Sequence, residues 1–469
     1  MRFILLNYIV VLDYNHNIDI ISDSASGRKN MGDPAKRSEK RFTKSEKSWI
    51  MYDWANSIYA TNIMAAIFPI YFAMQANETG DKLYGFAVSA AALVVAVLAP
   101  VLGAIGDFSG MKKKLFSIFL IIGLVFTAFM AAFDDWRLML IGYVISKIGF
   151  SGSCLFYDSF LTDVTTPDRM DRVSAWGYAM GYIGGSTIPF VISIVIMLLM
   201  GQSVLSYKIA ILIVVVWWAV FSIPFLKNVK QQYSVEEPPK ALAREAFKNA
   251  WRTFKDIIKD KKILLFIIAY FFYIDGVDTI ISMATSYGET LGLDAIGMIL
   301  ALLVTQIVAV PFSILFGNLA KKAGAMKMIA IAVCVYFVIT IIGFFMGFNI
   351  EQAELAGGDK EAALRLSSTL FWILATLVGT VQGGIQALSR SYFGQIIPPE
   401  RSNEYYGFLD IFGKFSCVIG PALYALAYSV TGRASIGILS IILLFMGGII
   451  ARAMGRKHCV RAAADNGAK

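Results

Sequence analysis

Three ionisable side chains stand inside apolar runs: Lys147, nine residues beyond Leu138, and Asp275 and Asp278 between Ile263 and Tyr287. An ionised group at the centre of a bilayer costs roughly 2.5–3.5 kcal/mol on insertion scales, so each needs a partner, a wet cavity or neutralisation. The two aspartates, three residues apart, share one helix face. A carboxylate there suits a substrate ammonium or a coupling proton, and a lysine suits a substrate carboxylate, so the three together suit a zwitterion. The competing reading for each is an ion pair that locks helices together. Tyr59, Asn62, Gln382 and Gln386 also lie within apolar runs and are candidates to line a cavity, although a lone intramembrane amide also serves as interhelical glue. Asp53 and Asn56, near one end of the first run, read as gate or packing residues. Arg390, at the end of the tenth, reads as meeting an acid or snorkelling to the surface, and Asp410 and Lys414 as an i, i+4 pair.

Those positions are informative because the rest of the chain is so apolar. Of 469 residues, 57% are hydrophobic and 16% charged, against roughly 25% charged in soluble domains. Twelve apolar runs of about 18 residues or more fall six on either side of a polar stretch. They predict an all-α integral membrane fold: twelve transmembrane helices in two pseudo-symmetric six-helix bundles. The divisions are a polar segment 1–48, a first bundle 49–226, a linker 227–262, a second bundle 263–453 and a tail 454–469. Met31 opens a stretch that continues into the first span, so translation is expected to start there.

The formal charge of +9 would suit nucleic acid if the basic residues shared one surface. They do not. With the N-terminus inside, 34 of the 42 lysines and arginines lie in cytoplasmic segments, the pattern that orients membrane proteins. Both termini are therefore expected in the cytoplasm of a cell-membrane protein, with the lipid bilayer and a small solute as partners and no nucleic acid. The chain is expected to be monomeric. In the linker, Leu242, Ala243, Ala246, Phe247, Ala250, Trp251, Phe254 and Ile258 fall on one side of a helix and basic residues on the other. Such a helix lies on the membrane surface; a calmodulin-like partner is the alternative. The four cysteines lack paired spacing and read as buried small side chains, so neither disulfide nor metal site is expected.

After the second run comes Gly103, then Asp107, Gly110 and Lys112 to Lys114; after the eighth come Gly317, Lys321, Lys322 and Gly324, with the same gap between the outer glycines. Phe160 to Arg169 recurs loosely as Phe393 to Arg401. Duplication of a six-span unit is typical of transporters with a midplane site between two halves. The loop resembles the signature of the major facilitator superfamily, with Phe108 where a basic residue is usual and Lys321 in place of the acid of the second copy. Tyr52–Asp53–Trp54–Ala55–Asn56–Ser57 and Gln386–Ala387–Leu388–Ser389–Arg390–Ser391 are similar to the branch named for autophagy-related vacuolar effluxers. Tyr273 to Gly276, Tyr405 to Phe408, Gly413–Lys414 and Gly420–Pro421 add to the likeness, which spans Lys44 to Ala453. It implies a cavity lined by spans one, four, seven and ten, and export of amino acids.

Enzyme readings find no support in these residues. Gly407 to Phe415 misses the phosphate-loop spacing and its serine or threonine. There is no His-Glu-x-x-His, and Gly149 to Ser153 lacks the last glycine of a nucleophile elbow. The sequence reading is a cofactor-free secondary transporter of a small polar solute, amino acids included, with proton coupling. A proton-coupled drug or metabolite exporter is one alternative, suggested by Gly177, Gly181, Gly184 and Gly185 in span five, although close helix packing explains those glycines as well. A non-transporting membrane receptor is the other.

Overall fold

The computed structural model describes residues 41–76, 78–239 and 241–467, which form helices and turns without a strand. Residues 1–40, and with them the expected start at Met31, lie outside the described residues. Among the described residues, twelve helices are long and apolar enough to cross a membrane. In the first half these are spans 1 (Lys44–Gln75), 2 (Leu83–Gly106), 3 (Met111–Ala132), 4 (Trp136–Val164), 5 (Pro167–Leu199) and 6 (Val204–Asn228). A linker helix, Leu242–Lys259, precedes spans 7 (Lys261–Thr290), 8 (Gly297–Ala323), 9 (Ala325–Ala356), 10 (Lys360–Ile396), 11 (Pro399–Thr431) and 12 (Ala434–Gly455). The shortest has 22 residues, about 33 Å at 1.5 Å per residue, enough to cross the hydrocarbon.

Local chemistry starts and stops the helices. Asp135, Asp260, Asp294 and Asp359 each accept a backbone N–H of the helix that follows, satisfying donors that have no intrahelical partner. Pro167 and Pro399 occupy first helical positions, where the missing N–H costs nothing.

Inside the first bundle the packing is aromatic. Trp49 stacks on Tyr157 and Tyr59 on Phe150, each with centroids 4.4 Å apart. The polar tips find partners there: Tyr52 Oη donates to Ser153 at 3.0 Å, and Trp49 Nε1 to the Tyr157 carbonyl at 2.9 Å. Spans 1 and 5 each carry a π-helical stretch, Tyr59–Ala65 and Gly181–Thr187. They pack so closely that a Cβ on Gly184 would sit 1.8 Å from the Trp54 ring. The glycines of span 5 are thus taken up by helix packing. One expectation is corrected: Cys334 is exposed and Cys154 half-buried, while the side chains of Cys417 and Cys459 lie outside those described. In lipid an apolar side chain loses nothing by facing outward, so burial does not sort small apolar residues as it does in water.

The duplication is visible in matched contacts. Arg169, after span 4, pairs with Glu46 at the start of span 1 at 2.8 Å. Arg401, after span 10, pairs at 2.9 Å with Asp256, just ahead of span 7. Across the two halves, span 2 meets span 11 and span 8 meets span 5. A Cβ on Gly103 would stand 2.3 Å from the Asn403 carbonyl oxygen, and one on Gly317 2.4 Å from Ala175 Cβ. Because the obstacle at Gly103 is backbone, Gly103→Ala is expected to destabilise the protein by about 1–3 kcal/mol. Thermal melting in detergent checks this against Gly85→Ala, inside the same helix, where a Cβ meets nothing within 4 Å and helix propensity alone predicts a gain of about 0.5–1 kcal/mol.

Candidate functional site

Arg390 leaves span 10 and crosses to the first half. Its Nη2 donates to Asp53 Oδ2 of span 1 at 3.1 Å, its Nη1 to Asp158 Oδ1 of span 4 at 3.0 Å, and its Nε to the Ser174 hydroxyl of span 5 at 2.9 Å. The guanidinium also lies 4.6 Å from the Trp49 ring centroid and 4.5 Å from that of Tyr178. A planar fork with several fixed donors can satisfy all these partners at once, which a lysine ammonium cannot. Ser174 Oγ in turn donates to the Ala387 carbonyl of span 10 at 2.8 Å.

A second polar contact surrounds the loop after span 2. The Asp107 carboxylate accepts Asn403 N at 2.9 Å, Asn403 Nδ2 at 2.7 Å and Glu404 N at 3.0 Å. These amides open span 11, where free N–H groups and the helix dipole favour an anion. Gly110, with φ of +70°, supplies the left-handed turn that starts span 3. Lys112 forms a buried 2.6 Å pair with Asp163 and donates to the Ser402 hydroxyl at 2.9 Å. The other Asp163 oxygen accepts the amides of Gln232 and Tyr233, tying in the linker. Asp171, in the first turns of span 5, accepts from Ser391 Oγ at 2.6 Å and Gln395 Nε2 at 2.9 Å of span 10. These contacts join the halves on the side of the linker, and that side is shut.

Against the Arg390 network lies a cavity of about 130 Å³ walled by Asp158, Tyr178, Tyr270, Asp278, Gln386 and Arg390, among others. A second, of about 210 Å³, shares Asp158, Tyr270 and Tyr406 and reaches Asp410 and Lys414. Both halves contribute walls. Asp278, Gln386 and Arg390 therefore meet at one cavity, and Asp410 and Lys414 form an intrahelical pair at the other.

The remaining sequence candidates lie elsewhere. Asp275 is fully buried between spans 7 and 11: Oδ1 accepts Gly420 N at 2.9 Å, and Oδ2 has no hydrogen-bond partner among the described residues. Tyr59 is buried in the first bundle, accepting from Ser146 at 2.9 Å, and Asn62 donates to Ser193 at 2.9 Å. Lys147 Nζ lies 3.5 Å from the Val88 carbonyl and 5.8 Å from the Tyr143 ring centroid, in the first half. Asn56 reaches Cys154 Sγ at 3.7 Å, and Gln382 is buried but walls neither cavity. No group of three or more His, Cys, Asp or Glu among the described residues is placed to hold a metal.

Sequence reasoning missed Asp158, Asp163, Asp171, Ser174, Asn403 and Glu404. Asp158 carried a usable signal: it follows Lys147 by eleven residues on an apolar helix, which is three turns and the same face. The others sit near span ends, where a polar residue is unremarkable and only the tertiary contact gives it meaning.

Removing Arg390 leaves the buried Asp53 carboxylate without its cation, while Asp158 can turn to the cavity it walls, a loss of about 1–3 kcal/mol. Arg390→Ala is therefore expected to open the linker side and raise maleimide labelling of Cys154, beside Asn56, by about tenfold or more. Arg390→Lys should fall between it and the parent. Burial pushes the Asp107 carboxyl up to about 8, outweighing Lys112 and the amides that favour its ionised form. Once the carboxyl reaches water its ordinary value returns, so the folded, closed arrangement holds an extra proton between roughly pH 4 and 8 and loses stability as pH rises through that window. Melting temperature is expected to fall across it, and Asp107→Asn to flatten the dependence.

Residues 82–458 match the family described as "Vacuole effluxer Atg22 like". A protein of Bacillus subtilis named uncharacterized MFS-type transporter YxiO is 41% identical over 425 residues, 88% of this chain and 94% of that protein. Autophagy-related protein 22-2 of Aspergillus clavatus is 28% identical over 268 residues, 54% of this chain and less than half, 43%, of its own length. Among solved structures, the major facilitator superfamily transporter FucP in its outward conformation aligns with a TM-score of 0.61 at 14% identity, over 87% of this chain and 97% of that one. The paired bundles, the shared loop and these matches agree: the chain belongs to the Atg22-like branch of the major facilitator superfamily of membrane transporters.

Proposed function

We propose that this transporter carries a small polar solute, an amino acid in the first instance, by alternating access coupled to protons. The observation that carries the reading is the cavity between the halves, one wall of which is the ion network that shuts the linker side. The carboxylates of Asp158 and Asp278 suit an ammonium, Gln386 supplies an amide, and the Arg390 guanidinium at the same wall suits a carboxylate. A bound zwitterion competes with the gate's own partners, so occupancy and opening are linked through shared groups. The alternative of a drug or metabolite exporter rests on the span 5 glycines, which serve packing against span 1.

The linker side is assigned to the cytoplasm of a cell membrane, on the basic residues concentrated in its segments. Asp275 is assigned as the proton site. It is a wholly buried acid braced on Gly420, beside Pro421 in span 11, and one of its oxygens lacks a hydrogen-bond partner among the described residues. A proton gained or lost there changes how span 7 holds span 11, which also walls the second cavity.

Proteoliposomes tested across an amino-acid panel, with and without an imposed pH gradient, check the reading. Saturable uptake and counterflow of at least one amino acid are expected, with accumulation only under the gradient. Asp275→Asn should abolish that accumulation while counterflow persists. Gradient-driven uptake unchanged by this substitution would remove Asp275 from the mechanism, and the absence of any flux across the panel would reject amino acids as substrates.

A further inference from the structure

The linker helix does not bury its apolar side as one face. Ala246, Ala250, Thr253 and Ile257 are buried, the two alanines against Ala104, Val101 and Ile105 of span 2. Phe247, Trp251 and Ile258 are instead 66%, 55% and 48% exposed. At about 100° per residue they form a second stripe, roughly a quarter-turn round the helix from the first. Directly beyond it come Arg244, Lys248, Arg252, Lys255 and Lys259, all exposed, with Lys255 Nζ 5.6 Å from the Trp251 ring centroid. Of the helix's acids, Asp256 is drawn off towards Arg401, whereas Glu245 pairs at 3.0 Å with Lys248 of the basic edge itself. The helix is continuous with the membrane, for Asp260 alone separates it from span 7, whose first residues are Lys261 and Lys262.

An exposed aromatic stripe edged by five cations, fixed at the mouth of a membrane span, matches a surface of anionic headgroups over acyl chains. The small buried stripe meanwhile leaves no room for the helix to turn its aromatics inward. We propose that the Phe247–Trp251–Ile258 stripe and its basic border are a docking surface for the anionic lipids of the leaflet on the linker side. The aromatics enter the acyl boundary and the cations hold phosphates. Through Asp256 and Thr253, which contact Arg401 and Glu404, the same helix braces the start of span 11. The surface is independent of which solute is carried.

The test uses the full chain in vesicles of phosphatidylglycerol mixed with phosphatidylcholine, with the bromine quencher placed on one lipid or the other. The Trp251 signal is the difference between the parent and Trp251→Phe. Brominated phosphatidylglycerol is expected to quench it more strongly than brominated phosphatidylcholine at equal mole fraction. Replacing Arg244, Lys248, Arg252, Lys255 and Lys259 together by Gln should bring the two to parity while the melting transition is retained. Equal quenching by both lipids in the parent would overturn anionic selectivity. No quenching by either would place the stripe away from the bilayer, free for a protein partner, and overturn the proposal. Should the five-fold variant fail to fold, the comparison of the two brominated lipids in the parent still decides.

Discussion

A guanidinium taken out of water must be paired, and among the described residues the side chains that Arg390 donates to belong to the opposite half of the molecule. Asp53, Asp158 and Ser174 come from spans 1, 4 and 5, whereas Arg390 comes from span 10. The closed linker side is therefore a requirement that neither bundle can meet alone. Buried ion pairs add little net stability, because desolvation offsets much of the attraction, but they penalise half-broken arrangements heavily. That asymmetry suits a gate: fully closed or fully hydrated states are tolerated and intermediates are not.

The two kinds of packing divide the labour. Within the first bundle, large rings interlock, as with Trp49 on Tyr157 and Tyr59 on Phe150, and moving them would expose apolar surface and open voids. Between the halves the contacts are close glycine crossings and hydrogen bonds to carboxylates: Gly103 on Asn403, Gly317 on Ala175, Asp107 on the first amides of span 11, and Asp171 on Ser391. Such groups can exchange one another for water at modest cost. On the proposed alternating-access reading, the bundles would move as bodies and the seam between them would part. Asp107 and Arg390 lie at separate points along this seam, so closure rests on two polar contacts.

Much of the architecture was legible in the sequence because the bilayer makes apolar length a strong signal, and the twelve spans and their pairing in two halves followed from it. The low charged fraction made Lys147, Asp275 and Asp278 stand out, and of these Asp278 alone walls the cavity that Gln386 and Arg390 also line. It failed where depth along a helix does not fix direction around it. Tyr59 and Asn62 are at a suitable depth yet turn into their own bundle towards Ser146 and Ser193, and Lys147 contacts Val88 and Tyr143 there. The linker helix differs in the other direction: its apolar residues read as one stripe, but the alanines pack on span 2 and Phe254 on Phe408 of span 11, while Phe247, Trp251 and Ile258 stay exposed. Asp158 was overlooked although its spacing from Lys147 was visible, because its partner arrives from a span more than two hundred residues away.

On the proposed reading, the linker side opens and closes as the two bundles move about a shared seam. A spin-label distance measured across that side tests it most directly, with labels at Lys114 and Lys322, both exposed and in opposite halves. In lipid without solute the account predicts a short distance population matching the closed arrangement, and with a transported solute a second, longer population at its expense. A single distance unchanged by solute in protein that still transports would contradict it.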